Sequence, residues 1–210
     1  MVTLQRDSRP LIHCIGDSHC VMYVGEFFAF QGYHSAGRSC SPLLDAVGTS
    51  PINYPFQVHW LGERTAYNMC RRKATIDAVL DRFWKPGDKV MFIAGEIDCR
   101  AHIVKQSVLT GSSIQDKAKE SAGRLFWFAY DNYSSRGLVA SFSVPTSMGG
   151  GGPREASRAF NDEMEALAKS KNVPFMSIED QRLLYHDGTH YHPVTTFPIL
   201  TEKARSLGII

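Results

Sequence analysis

The stretch "LIHCIGDSH", Leu11–His19, decides how this chain is read. An apolar run with one histidine stops at Gly16, and Asp17, Ser18 and His19 follow. A near-continuous apolar run of this length, closed by a turn residue, fits a strand buried on both faces of a parallel sheet. Ser18 then stands just past the C-terminal end of that strand. A lone serine there is more often a turn or helix cap than a nucleophile. The rest of the chain must supply a base, an orienting acid and oxyanion donors.

Four more strand-like runs follow: Phe56–Gly62, Lys89–Gly95, Leu138–Pro145 and Val173–Glu179. Helix-period segments separate them. Ile76, Val79, Leu80 and Phe83 fall on one helical face, and Pro86-Gly87-Asp88 then forces a turn. Ala118, Ala122, Leu125 and Ala129 form a second stripe. Phe160, Met164 and Leu167 form a third, behind Pro153 at a first helical position. A last helix is expected from about Thr196, with Pro198 in its first turn and Leu200, Ala204 and Leu207 facing inward. Alternating strands and helices predict an α/β layer fold with a parallel sheet. Right-handed crossovers would bring every strand's C-terminal end to one edge, where such sheets bind ligands.

Composition narrows the function. The 210 residues fit one domain, 1–210, and are 43% hydrophobic and 21% charged. A formal net charge of +2 gives no electrostatic case for a nucleic-acid partner. No apolar run approaches the length of a membrane span, and the N-terminus lacks the apolar core of a secretory signal. Cys14, Cys20, Cys40, Cys70 and Cys99 are odd in number and scattered without a CxxC pair, which argues against a disulfide framework or a zinc ribbon. A reducing, cytoplasmic setting is the expectation, with oligomeric state left open.

The far end of the chain carries "HDGTHYHP", His186–Pro193. Asp187 and His190 are three apart, joined through Gly188. That spacing lets the carboxylate fix one ring nitrogen of His190 while the other takes a proton from a serine hydroxyl. A metal reading through His186, His190 and His192, completed by Glu179 or Asp180, is the weaker alternative, so no metal or other cofactor is expected. "MGGGGP", Met148–Pro153, lacks the lysine and Ser/Thr of a P-loop and reads as a flexible loop beside the site. The irregular stretch 37–55 is a second candidate wall.

Taken together, these blocks resemble the SGNH, or GDSL-type, hydrolases. Gly16-Asp17-Ser18 matches the family's first block and Asp187-Gly188-Thr189-His190 its last. Gly62 in "WLGERTAYN" best matches the glycine after the second strand, and Gly95-Glu96-Ile97-Asp98 stands at the Gly-x-Asn-Asp block. The resemblance runs from about Leu11 to Leu207. It implies a flavodoxin-like three-layer α/β/α sandwich with a five-stranded parallel sheet. It also implies Ser18 as nucleophile, His190 as base, Asp187 as orienting acid, and the Ser18 and Gly62 amides as oxyanion donors.

Ile97 departs from the pattern, because its side chain replaces a hydrogen-bonding asparagine. Arg100 and His102 are the nearest substitutes for the missing donor, with Asn68 more distant. Arg100 is preferred for its fork of donors, against an ion pair with Glu96 or Asp98 that would shape the loop instead. "GEIDCR" resembles a recognised subgroup of SGNH-like proteins. His19 and His102 are candidate substrate contacts, whereas Asp17 and Asp98 read as loop-tying carboxylates.

The expected activity is hydrolysis of a small-molecule or glycan carboxylic ester, with acetyl the favoured acyl group. The alternatives are acyl transfer to a sugar by the same triad, and a non-catalytic glycan- or protein-binding module.

Overall fold

The computed structural model describes residues 9–25, 48–50, 52–62, 65–141, 151–178 and 190–210. Strand β1 (Ile12–Gly16) is buried along its whole length. It lies between β3 (Phe56–Trp60) and β4 (Lys89–Ile93), parallel to both, with Gly16 opposite Trp60 and Ile93. Then come β5 (Leu138–Ser141) and β6 (Phe175–Met176), also parallel. On the other side a two-residue strand, β2 (Gly48–Thr49), pairs antiparallel with β3. The order is β2-β3-β1-β4-β5-β6.

The α/β expectation therefore holds, and the expected sheet is corrected in detail. Four strands of four or five residues carry it, and the outermost strand on each side has only two. The antiparallel edge strand falls in a Gly- and Ser-rich stretch with no apolar alternation to announce it.

Helices cover both faces, as three layers require. On one face Ile15, Val90 and Phe92 pack against α2 (Lys73–Phe83), α4 (Ile114–Tyr133) and α5 (Gly152–Ser170) through Ile76, Leu80, Phe126, Phe160 and Met164. On the other, Ile12, Cys14, Phe56 and Met91 meet Met22 and Tyr23 of a 3₁₀ helix (Ser18–Tyr23) and Leu200 and Ala204 of α6 (Pro193–Ser206). The last helix begins three residues earlier than expected. Pro193 needs no amide partner at its first position, and Pro198 sits inside the helix at the cost of one bond. Leu207 is 36% exposed rather than inward. Two short helices had no clear sequence signature: α1 (Ala66–Met69) and α3 (Ile103–Thr110), the latter entered through a π-helical turn at Asp98–His102.

A polar chain runs through the buried sheet on the helix-α2 side. His59 Nδ1 lies 3.2 Å from Thr49 Oγ1, His59 Nε2 lies 3.0 Å from His13 Nδ1, and His13 Nε2 lies 3.1 Å from Asp88 Oδ2. Asp88 also accepts from the Leu11 and Lys85 amides. The chain thus ties β2, β3, β1 and the turn before β4 together beneath the edge that carries Ser18.

Among the described residues no helix is long and apolar enough to cross a membrane. Cys14, Cys20, Cys70 and Cys99 are free thiols, and Cys40 lies outside the described residues.

Candidate active site

Parallel pairing places the ends of β1, β3 and β4 side by side, so the loops beyond them must meet at one edge. Gly16 is required by the crowding there. A Cβ on it would fall 2.2 Å from the Ile93 carbonyl oxygen, well inside contact distance. Just beyond, the Asp17 amide donates to that same carbonyl at 3.1 Å, which locks the start of the loop onto β4.

Asp17 is fully buried and organises the next turn. Its Oδ1 accepts from the His19 amide at 2.9 Å and lies 3.2 Å from His19 Nδ1. The first 3₁₀ hydrogen bond then runs from the Cys20 amide to the Asp17 carbonyl at 3.1 Å. The Ser18 amide precedes that bond, as the first amides of any helix do. Gly62 follows β3 with φ +84°, a left-handed conformation that glycine adopts without strain.

From the opposite end of the chain, His190 arrives immediately before α6. Its Nε2 lies 2.9 Å from Ser18 Oγ across 172 residues of sequence. The ring of His19 stacks on that of His190, with centroids 4.5 Å apart and planes 21° from parallel. A hydroxyl within hydrogen-bond reach of a held imidazole is the arrangement that activates a serine for attack. Asp187, with His186, Gly188 and Thr189, lies outside the described residues, as do Met148–Gly150 and most of the stretch 37–55.

The third loop departs from the pattern in a way the structure makes concrete. Gly95 has φ +122°, and a Cβ there would run into the Phe160 ring at 2.5 Å. Past Ile97, the Arg100 guanidinium grips Glu96, with Nε 2.6 Å from Oε1 and Nη2 3.3 Å from Oε2. This is the loop-shaping ion pair that the sequence offered as the alternative to an oxyanion role. The Glu96 carboxylate is buried while the Arg100 side chain is half exposed. Asp98 ties two loops together: its Oδ2 accepts from the Ala66 amide at 2.6 Å, and Ser121 Oγ donates to its Oδ1 at 3.3 Å. Burial pushes its carboxyl above the ordinary value in spite of those bonds.

His19 and His102 have different surroundings. His19 is buried beneath His190, whereas His102 is exposed and lines a cleft with Asn68, between α1, α3 and α4. Asp17 ties its loop through a backbone amide, as the sequence reading expected, whereas the stacking of His19 on His190 was not legible in the sequence. The adjacency of an acid, a serine and a histidine was the only hint.

Strand order, layers and the Ser18–His190 pair define the fold as that of the GDSL-type α/β proteins. The chain superposes on a member of the lipolytic G-D-S-L family from Veillonella parvula with a TM-score of 0.57, covering 94% of this chain and 97% of that one at 13% identity. It also resembles an acetylxylan esterase from Geobacillus stearothermophilus, with a TM-score of 0.54, 15% identity, and 98% and 97% coverage. That esterase has been solved as catalytic mutants in which a serine, a histidine or an aspartate is replaced by alanine. No protein-family profile and no curated protein matches the chain.

Proposed function

We propose that this chain is a serine hydrolase that cleaves a carboxylic ester through an acyl-enzyme on Ser18. The observation that carries the reading is the 2.9 Å approach of Ser18 Oγ to His190 Nε2. His190 Nε2 takes the hydroxyl proton as Oγ bonds to the ester carbon. The resulting tetrahedral intermediate collapses when the C–O bond to the alcohol breaks, and the alkoxide leaves with the proton held on Nε2. Water then attacks the acyl-enzyme by the same route and releases the acid.

In this reading Asp187 orients His190, as the spacing of the DxxH block suggests. The Ser18 and Gly62 amides receive the oxyanion, a contribution of about 3 kcal/mol per well-placed donor. Arg100 supplies a third donor only if its guanidinium leaves Glu96. His19 holds the base from below rather than touching substrate. An acetyl group on a carbohydrate is the favoured substrate, since the Geobacillus stearothermophilus neighbour is an acetylxylan esterase.

The test is covalent labelling with a fluorophosphonate, together with turnover of p-nitrophenyl acetate. The expected result is labelling and turnover in the native chain, and loss of both in Ser18→Ala and His190→Ala. Failure of the folded native chain to label would overturn the reading, as would unchanged turnover in Ser18→Ala.

A further inference from the structure

A cleft of about 410 Å³ opens between α1, α3 and α4, within the size range of small-ligand sites. Its lining comes from the segments that follow β3 and β4 and from α4. Thr65 is five residues past Trp60, and Asp98 is five past Ile93. Each therefore lies within roughly 18 Å of the strand ends beside Gly16.

The lining sets polar side chains, several of them held in place, beside apolar surface from Tyr67 and Ile103. Asp98 forms part of the wall, fixed by the Ala66 amide and Ser121 Oγ. Lys117 Nζ lies 3.0 Å from Glu120 Oε2, and Arg124 Nη2 lies 3.1 Å from Glu120 Oε1. The guanidinium groups of Arg71 and Arg124 lie against the Tyr67 ring, 4.5 and 4.7 Å from its centroid. Asn68, His102 and Gln106 complete the rim, and none of their side chains makes a hydrogen bond to another described group.

Two features specify the ligand. Among the lining side chains Lys117 and Arg124 are balanced by Glu120 and Asp98, so the lining itself carries no net charge to favour an anion. Closely set amide, imidazole, hydroxyl, carboxylate and guanidinium groups match a ligand that donates and accepts at many points, which is the chemistry of a sugar's hydroxyls. Prefixed side chains also lower the ordering cost of binding.

We infer that this cleft binds an uncharged saccharide, the carbohydrate portion of the ester that Ser18 attacks. The inference rests on the hydrolase reading for its link to catalysis, while binding itself can be measured without turnover. Xylotetraose, cellotetraose and mannotetraose are titrated by calorimetry against the full chain carrying Ser18→Ala. At least one is expected to bind, and Arg124→Ala and Gln106→Ala, each added to that chain, are expected to weaken it at least about tenfold. In the active chain, the same cleft substitutions are expected to lower kcat/KM for the acetylated form of that sugar relative to p-nitrophenyl acetate, by a similar factor.

Gln106 is exposed on α3, so its substitution keeps the test valid should Arg124→Ala disturb the fold. Binding of none of the three sugars would overturn the inference. So would binding that ignores both cleft substitutions, or a preference for tetragalacturonate, which carries carboxylates. If sugars bind as described but Ser18 never labels with fluorophosphonate, the hydrolase reading fails and the saccharide site stands.

Discussion

Lowering the pH should strain the fold at His59, and the structure says in which direction. His59 is fully buried, hydrogen-bonded at both ring nitrogens and packed against the Phe83 ring at 5.1 Å. Burial, with a further contribution from His13, holds its pKa well below the ordinary histidine value. Below about pH 6.5 the unfolded chain gains a proton on this residue that the folded chain refuses. A group depressed in this way contributes stability at higher pH and loses it as pH falls. The slope of that loss approaches about 1.4 kcal/mol per pH unit at most. Neutral tautomers satisfy every atom of the chain: Thr49 donates to His59, His59 to His13, and His13 to Asp88. Glutamine at position 59 can keep a neutral bond and cannot titrate. Urea unfolding of the native chain and of His59→Gln, across the acid range, checks this. The variant is expected to be less stable near neutrality but to lose stability with a shallower slope. Parallel slopes would refute the reasoning, because titration of the groups not coupled to His59 cancels in the comparison.

Other substitutions test the frame around Ser18. Gly16→Ala should cost several kcal/mol or prevent folding, since the added carbon meets the backbone of Ile93 rather than a movable side chain; thermal unfolding and soluble yield report it. Arg100→Met should destabilise more than Glu96→Gln, by about 1–2 kcal/mol after allowing for the half-exposed guanidinium, because it strands a buried carboxylate; equal losses in urea unfolding would count against that asymmetry. His19→Ala should lower kcat on p-nitrophenyl acetate more than it changes KM, and His19→Phe should recover part of the loss by restoring a ring beneath His190.

The parallel core was legible because β1, β4 and β5 are buried on both faces and so carry runs of apolar residues. Their order was not, since strand adjacency depends on which crossovers the helices take. The edge strand Gly48–Thr49 has no pattern of its own and exists through its pairing with His59 and Trp60. The Ser18–His190 pair was legible for a different reason: each lies in a short block of recognisable chemistry, and the rule that strand ends share an edge joins them. Arg100 shows where such reading stops. Its partner four residues away was named as a competing possibility, and spacing alone could not decide between them.

Asp17 poses the sharpest energetic question at the site. One of its oxygens serves the His19 amide and ring, while the other is buried without a hydrogen-bond partner among the described residues. A buried carboxylate oxygen left so is costly, so a purely structural role would be served as well by an amide. Its placement gains meaning from the ring stack. In the proposed reaction, attack by Ser18 turns His190 into an imidazolium, and the His19 ring stacked on it is hydrogen-bonded to the Asp17 carboxylate. That charge favours the state in which His190 holds the proton. Asn in place of Asp17 keeps an oxygen for the His19 amide and removes the charge. Asp17→Asn is therefore expected to fold with little loss and to lower kcat on p-nitrophenyl acetate about tenfold at unchanged KM, equivalent to about 1.4 kcal/mol in the transition state. Full activity in a less stable variant would return Asp17 to the role of a loop tie.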